Sequence, residues 1–187
     1  MWNDGYPFGG NYWSGYTGMD ANGDGIGEMP YSLDDNNQDN YPLIAPLTVF
    51  SAGMWNGISY DVAIISNSTL SDFFFNPDEG AFIKFNVTGE GGSEGFCRVT
   101  ISKSLLWVED GWTIHVDGEP ITDYTVIPDE NYTYLYFIYQ HSTKTVQITG
   151  THVIPEFPST MILPLFMVLT LLAVVFAKKK LPRKSKP

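Results

Sequence analysis

The chain has 187 residues, room for one or two small domains plus appendages. Aromatic residues make up 15%, glycine and proline number 18 and 12, and helix-forming runs are sparse before the C-terminus, which favours β structure with many turns. The formal net charge is −11, but residues 1–177 set four basic residues against all 21 acids, a net −17 that repels nucleic acid and attracts cations, so no nucleic-acid partner is expected.

Residues 1–47 come first, rich in Gly, Asn, Asp, Tyr and Trp, with no 3.6-residue periodicity. The pattern predicts turns and short strands. Within it, "DANGDGIGE" places Asp20, Asn22 and Asp24 at alternate positions ahead of Gly25. In a curled loop such side chains converge on one point, glycine takes the sharp turn, and the Ile26 carbonyl follows as the next oxygen. The spacing resembles EF-hand-like loops, including those of dockerin and thrombospondin-type repeats. It departs from an EF-hand at its twelfth position, Tyr31, and lacks flanking amphipathic helices, so further oxygens are needed. Glu28, Asp34, Asp35 and Asp39 are in reach. The expected ligand set is Asp20, Asn22, Asp24, Ile26, Glu28 and Asp35 around a structural Ca²⁺, and a plain polar turn is the competing reading. Seven acids and no Lys or Arg lie in residues 1–47, so a cation would relieve mutual repulsion.

The same segment, through "GGNYWSGY", "DANGDGIGEMPY" and "NQDNYPL", resembles the C-terminal end of archaeal β-helix repeat proteins in the NosD-like, periplasmic copper-binding family. The resemblance covers Trp2 to about Pro46 and implies a right-handed parallel β-helix upstream, which residues 1–47 would cap. It does not carry copper with it: residues 1–47 have no His or Cys.

Residues 48–152 alternate apolar and polar over short runs. Ile83, Phe85 and Val87 share one face against Lys84 and Asn86. Cys97, Val99 and Ile101 oppose Arg98 and Thr100, and Trp112, Ile114 and Val116 align. Turn signals at "NPDEG", "GEGGSEG", "VEDG", "VDGEP" and "PDEN" separate the runs. Seven or eight strands predict an antiparallel, immunoglobulin-like β-sandwich, with "GEGGSEG" as a hairpin loop. Cys97 is the single cysteine, so no internal disulfide forms, and it reads as a buried small apolar residue. His115 falls on a polar face. Tyr132, Tyr134, Tyr136 and Phe137 read as core and rim. Three sequons mark glycosylation candidates Asn67, Asn86 and Asn131.

Residues 153–158 are a Pro-rich linker, 159–177 an uncharged apolar stretch long enough to span a bilayer, and 178–187 a basic tail with six of the ten cations. The positive-inside rule places the tail in the cytoplasm and the bulk outside in a single-pass protein. "MWNDGYPFGG" is not a signal peptide, so the chain is expected to be the C-terminal part of a longer protein or to begin at a late start. Pro155, Glu156, Phe157 and Pro158, then the apolar stretch and the basic cluster, resemble the archaeal PEF-CTERM sorting signal. That resemblance implies a membrane sorting protease of archaeosortase type as partner and removal of the helix on processing; a permanent transmembrane anchor is the alternative.

No Ser/His/Asp pattern, phosphate loop or zinc spacing occurs. The expected function is therefore non-enzymatic: a calcium-stabilised, membrane-anchored cell-surface module that spaces, adheres or presents within a larger exported β-helix protein, near surface polysaccharide or an S-layer. The alternative is a carbohydrate-binding β-sandwich module of a surface carbohydrate-active protein.

Overall fold

In the computed structural model, which describes residues 2–55, 57–78, 80–153, 166–172 and 176, the period-two alternation becomes a mainly antiparallel β fold. Residues 1–154 form one compact unit and 155–187 another. Two short strands, β1 (Tyr31–Asp34) and β2 (Asn37–Asp39), pair in the N-terminal segment. Ten strands then build two five-stranded sheets. These are β3 (Leu47–Trp55), β4 (Ile58–Ser66), β5 (Thr69–Asn76), β6 (Phe82–Thr88) and β7 (Glu94–Ser102), then β9 (Thr113–Val116), β10 (Glu119–Ile121), β11 (Tyr124–Pro128), β12 (Tyr132–Gln140) and β13 (Thr143–Thr149). The two-residue strands β8 (Leu106–Trp107) and β14 (His152–Val153) pair with each other.

One sheet runs β10-β9-β13-β6-β5 and the other β11-β12-β7-β4-β3. Both send alternate residues into one core: Ile83, Phe85 and Val87 from β6 and Val146 and Ile148 from β13 meet Val62, Ile64, Val99, Ile101, Leu135 and Phe137 of the opposite sheet. This is a β-sandwich, with about 25 cal/mol per Å² of buried apolar surface as its driving force. The stretch Gly89–Ser93 does not close a hairpin, because β6 and β7 lie in different sheets. Its flexible glycines carry the chain across the sandwich instead.

The opposite side of β7 is also buried. Phe96 and Arg98, which alternate with the core-facing Cys97 and Val99, lie under residues of the N-terminal segment. Ile26, Leu43 and Ala45 pack on Ile65 and Phe96, with Tyr41, Ile44 and Tyr136 at the margin, as a second apolar cluster. No β-helix coil occurs among the described residues, and residues 2–46 lie against the outer face of the β11-β12-β7-β4-β3 sheet.

In the second unit, 166–172 and Phe176 are helical. No helix among the described residues is long and apolar enough to cross a membrane. Most of the expected span at 159–177 lies outside the described residues, as do the 154–158 part of the linker, the PEF motif Pro155–Pro158 and the basic tail at 178–187.

Candidate functional site

The acidic loop is folded around its own backbone. Asp20 accepts the amides of Asp24 (2.9 Å) and Gly25 (2.8 Å), one on each carboxylate oxygen. Asp24 accepts the Ile26 amide (2.8 Å) and the Asn22 side-chain amide (2.9 Å). Glu28 closes the loop by accepting the Ala21 and Asn22 amides at 2.8 and 3.1 Å. Asp20, Asn22, Asp24 and Glu28 are thus linked through hydrogen bonds within one loop. Burial pushes the Asp20 carboxyl above its usual range; the two amides it accepts oppose that rise, and the charges of Asp24 and Glu28 add to it. Asp35 stands apart in the β1–β2 turn, next to an Asp34 that caps the amide of Asn36.

Gly25 shows why this loop carries glycine. Its φ of +83° is in the left-handed region, and a Cβ there would sit 2.6 Å from Cδ of Arg98. Arg98 is 1% exposed. Its guanidinium lies 4.4 Å from the Tyr134 ring centroid and donates to the Pro7 carbonyl. Burial lowers its pKa, and the nearby negative charge of Asp24 counteracts that. The one cation among the described residues of this sheet's strands thus faces the acidic loop. Nε of Arg98 and the hydroxyl of Tyr134 have no hydrogen-bond partner among the described residues. Burial, and then the charge of Asp20, push the Tyr136 phenol up to about 12.

Asp39, fully buried, organises the rest of the segment. One oxygen accepts the Asn11 amide (2.7 Å) and the Trp13 indole (2.9 Å), and the other accepts the Tyr41 amide (3.0 Å). It is a structural acceptor, remote in role from the loop.

Among the described residues no three His, Cys, Asp or Glu side chains form a group able to hold a metal ion. The loop's donors are nonetheless hard oxygens of the kind Ca²⁺ selects. The ladder bonds beside Ile26 use the Gly27 amide and the Gly25 carbonyl, which leaves the Ile26 carbonyl outside them. A half-turn of the Asn22 amide would present its oxygen in place of its nitrogen. The oxygens this loop could offer a cation are those of Asp20, Asn22, Asp24 and the Ile26 carbonyl, with Glu28 as the loop's closing brace.

The sequons differ in availability. Asn67 is spliced into the sheet, donating to the Glu94 carbonyl and accepting the Phe96 amide, both at 3.0 Å. Asn86 donates to Asp72 and accepts from Thr145. Asn131, exposed in the β11–β12 turn, makes no side-chain hydrogen bond among the described residues.

One polar cluster was not legible from spacing. The ring nitrogens of His141 contact Ser68 (2.8 Å at Nε2) and Ser93 (2.6 Å at Nδ1). Ser93 donates its only hydroxyl proton to the Glu90 carbonyl, so Nδ1–H of a neutral His141 donates to Ser93 and Nε2 accepts from Ser68. The Ser68 oxygen then accepts from Tyr139 at 2.7 Å. Its handedness is that of a serine–histidine dyad, yet His141 is 8% exposed and a Cβ on Gly89 or Gly95 would strike its ring. The cluster clasps the Gly89–Ser93 crossing and the β4–β5 turn onto the end of β12.

A second feature, also unread from sequence, is a trough of about 580 Å³ on the outer sheet face beside Phe8, floored by Ala63, Thr100 and Ser102. No family model, no curated protein and no solved structure matches the chain.

Proposed function

We propose that the chain is a non-enzymatic cell-surface module, held at a membrane by its C-terminal segment, whose immunoglobulin-like sandwich carries a calcium-stabilised cap and spaces or presents a larger exported β-helix protein. The NosD-like and PEF-CTERM resemblances supply that context. The observation that carries the anchor is the described helix at 166–172. Phe166, Met167, Val168, Leu169, Leu171 and Leu172 are all exposed, so apolar side chains surround the helix on every side. Thr170 satisfies its hydroxyl within the helix, on the Phe166 and Met167 carbonyls, both at 2.9 Å. An all-round apolar helix with internally satisfied polar groups suits hydrocarbon and is costly in water. Calcium held by Asp20, Asn22, Asp24 and Ile26 would neutralise the acidic loop.

Two measurements test this reading. Membranes from cells producing the whole chain should retain it through alkaline extraction, and deleting residues 159–187 should release it. Retention of the deleted form sinks the anchor. Melting of the whole chain in detergent should rise by several degrees with millimolar Ca²⁺ over EDTA, roughly 1–3 kcal/mol of added stability. Asp20→Ala and Asp24→Ala should each abolish the rise; an unchanged melt removes calcium from the reading and leaves the anchor standing.

A further inference from the structure

The geometry points to the trough beside Phe8 as a binding site for a neutral oligosaccharide. Its floor follows from the register. Ala63 of β4 pairs with Thr100 of β7, and Ser102 of β7 pairs with Tyr132 of β12, so short side chains line the middle of an otherwise bulky sheet face. The N-terminal segment stops short of this region and contributes one wall. Phe8, 47% exposed, stands edge-on to Tyr132 with ring centroids 5.6 Å apart. The opposite wall is Ile58, Ser59 and Asp61 of β4. About 580 Å³ falls within the range of small-molecule sites, and the lining runs along β4 from Ile58 to Ala63, which suits a short chain.

The chemistry of the lining selects the ligand. Asp61, Thr100, Ser104 and Asn131 carry side-chain oxygens or amides that make no hydrogen bond among the described residues. Hydroxyl, carboxylate and amide groups beside the exposed Phe8 ring and the half-buried Tyr132 ring match the alternating hydroxyl and C–H surfaces of a sugar. No Lys, Arg or His lines the trough, and its one carboxyl side chain is that of Asp61, so an acidic glycan or a nucleotide would meet no counter-charge. Peptide recognition by strand addition needs a free sheet edge, whereas β4, β7 and β12 are interior strands whose backbone groups are taken up by neighbours. A single carboxylate also leaves glycosidic hydrolysis without its second acid, so the site binds and releases.

The proposal goes beyond the anchoring reading and does not depend on it. The whole chain, in a detergent without a sugar headgroup, is titrated with hexasaccharides of β-glucan, α-mannan and galactan, with a hexagalacturonate as the acidic control, and followed by saturation-transfer NMR and calorimetry. At least one neutral hexamer should bind with a dissociation constant below about 1 mM, and the acidic control should bind at least about tenfold more weakly. Tyr132→Ala should weaken binding by about tenfold or more. The milder Asp61→Asn, at an exposed position where folding is not at risk, should weaken it by a few-fold. Ser102→Phe should block the floor. No neutral hexamer bound at about 10 mM, tighter binding of the acidic control, or affinity indifferent to both Asp61→Asn and Ser102→Phe in variants that melt like the parent each overturn the assignment.

Discussion

Cys97 sits fully buried between Ser66 and Tyr139, with Sγ 3.6 Å from each hydroxyl. Burial raises its pKa from 9.0 to about 11, with the two hydroxyls pulling weakly the other way. The unfolded chain therefore loses this proton before the folded one does. Stability that depends on the thiol is complete below about pH 9 and drains away as pH climbs through about 11. The loss attributable to Cys97 should reach about 2 kcal/mol at the top of that window. The check is urea denaturation across the window beside Cys97→Ala, whose cavity penalty does not vary with pH. The difference between the two proteins should shrink on going alkaline, and a constant difference refutes the buried, protonated thiol. A thiol reagent at neutral pH should label the native protein only as fast as it unfolds. Reading Cys97 as a buried apolar residue was possible from its alternation with Val99 and Ile101 alone. The companion network was not, because Ser68, Ser93 and His141 come from three loops and hold no fixed spacing.

At the scale of elements, the docking of residues 2–46 onto the sheet turns on one close approach. Gly25 rides over Arg98, so a methyl group there is opposed twice, by its left-handed backbone and by the Arg98 stem 2.6 Å away. Gly25→Ala should cost about 3 kcal/mol by chemical denaturation. In an Arg98→Ala background the Cδ clash disappears, and the 3.1 Å approach to the Cβ at position 98 plus backbone strain leave a cost of about 1–2 kcal/mol. Additivity of the two substitutions would mean that loop and strand are not in contact. Period-two reasoning placed the strands of β6, β7 and β9 and their core faces correctly, since each pattern is local. It placed Arg98 and Thr100 opposite the core face but carried no sign that Arg98 is buried there, because a buried arginine is indistinguishable in a pattern from a solvated one. Whether a sheet's second face is covered depends on contacts spanning some 70 residues, here Ile26 to Phe96, and no window of sequence contains them. The loop's hydrogen bonds, by contrast, lie within nine residues, and Asp20, Asn22, Asp24 and Glu28 could be grouped from spacing.

For the whole molecule, that second cluster means the sandwich is not a free-standing bead with a cap beside it. A two-sheet domain ordinarily needs one buried face per sheet and can leave the other wet. Here the outward face of β4, β7 and β12 carries Ile65, Phe96, Tyr134 and Tyr136, each buried or half-buried under the N-terminal segment. The segment in turn has few aliphatic residues of its own and relies on Ile26, Leu43 and Ala45 meeting that face. The segment has no complete core of its own, and the sandwich, whose inner core is complete, loses the cover over its second face without it. Deleting residues 1–46 should therefore destabilise the remainder by about 5 kcal/mol, the transfer energy of a few large apolar side chains returned to water. It should also leave Arg98 without its Pro7 acceptor and without the neighbouring Asp24 charge. Equilibrium urea unfolding of the whole and shortened chains gives the energy, and fluorescence of a dye that binds exposed apolar surface reports the uncovered face. A shortened chain that unfolds at the parent's urea midpoint and binds no dye would show that the sandwich is an independent domain and that the cap merely rests on it. Dye binding with lowered stability would mean that residues 2–46 and the sandwich unfold as one unit, held together by the Gly25–Arg98 contact and the apolar cluster around it.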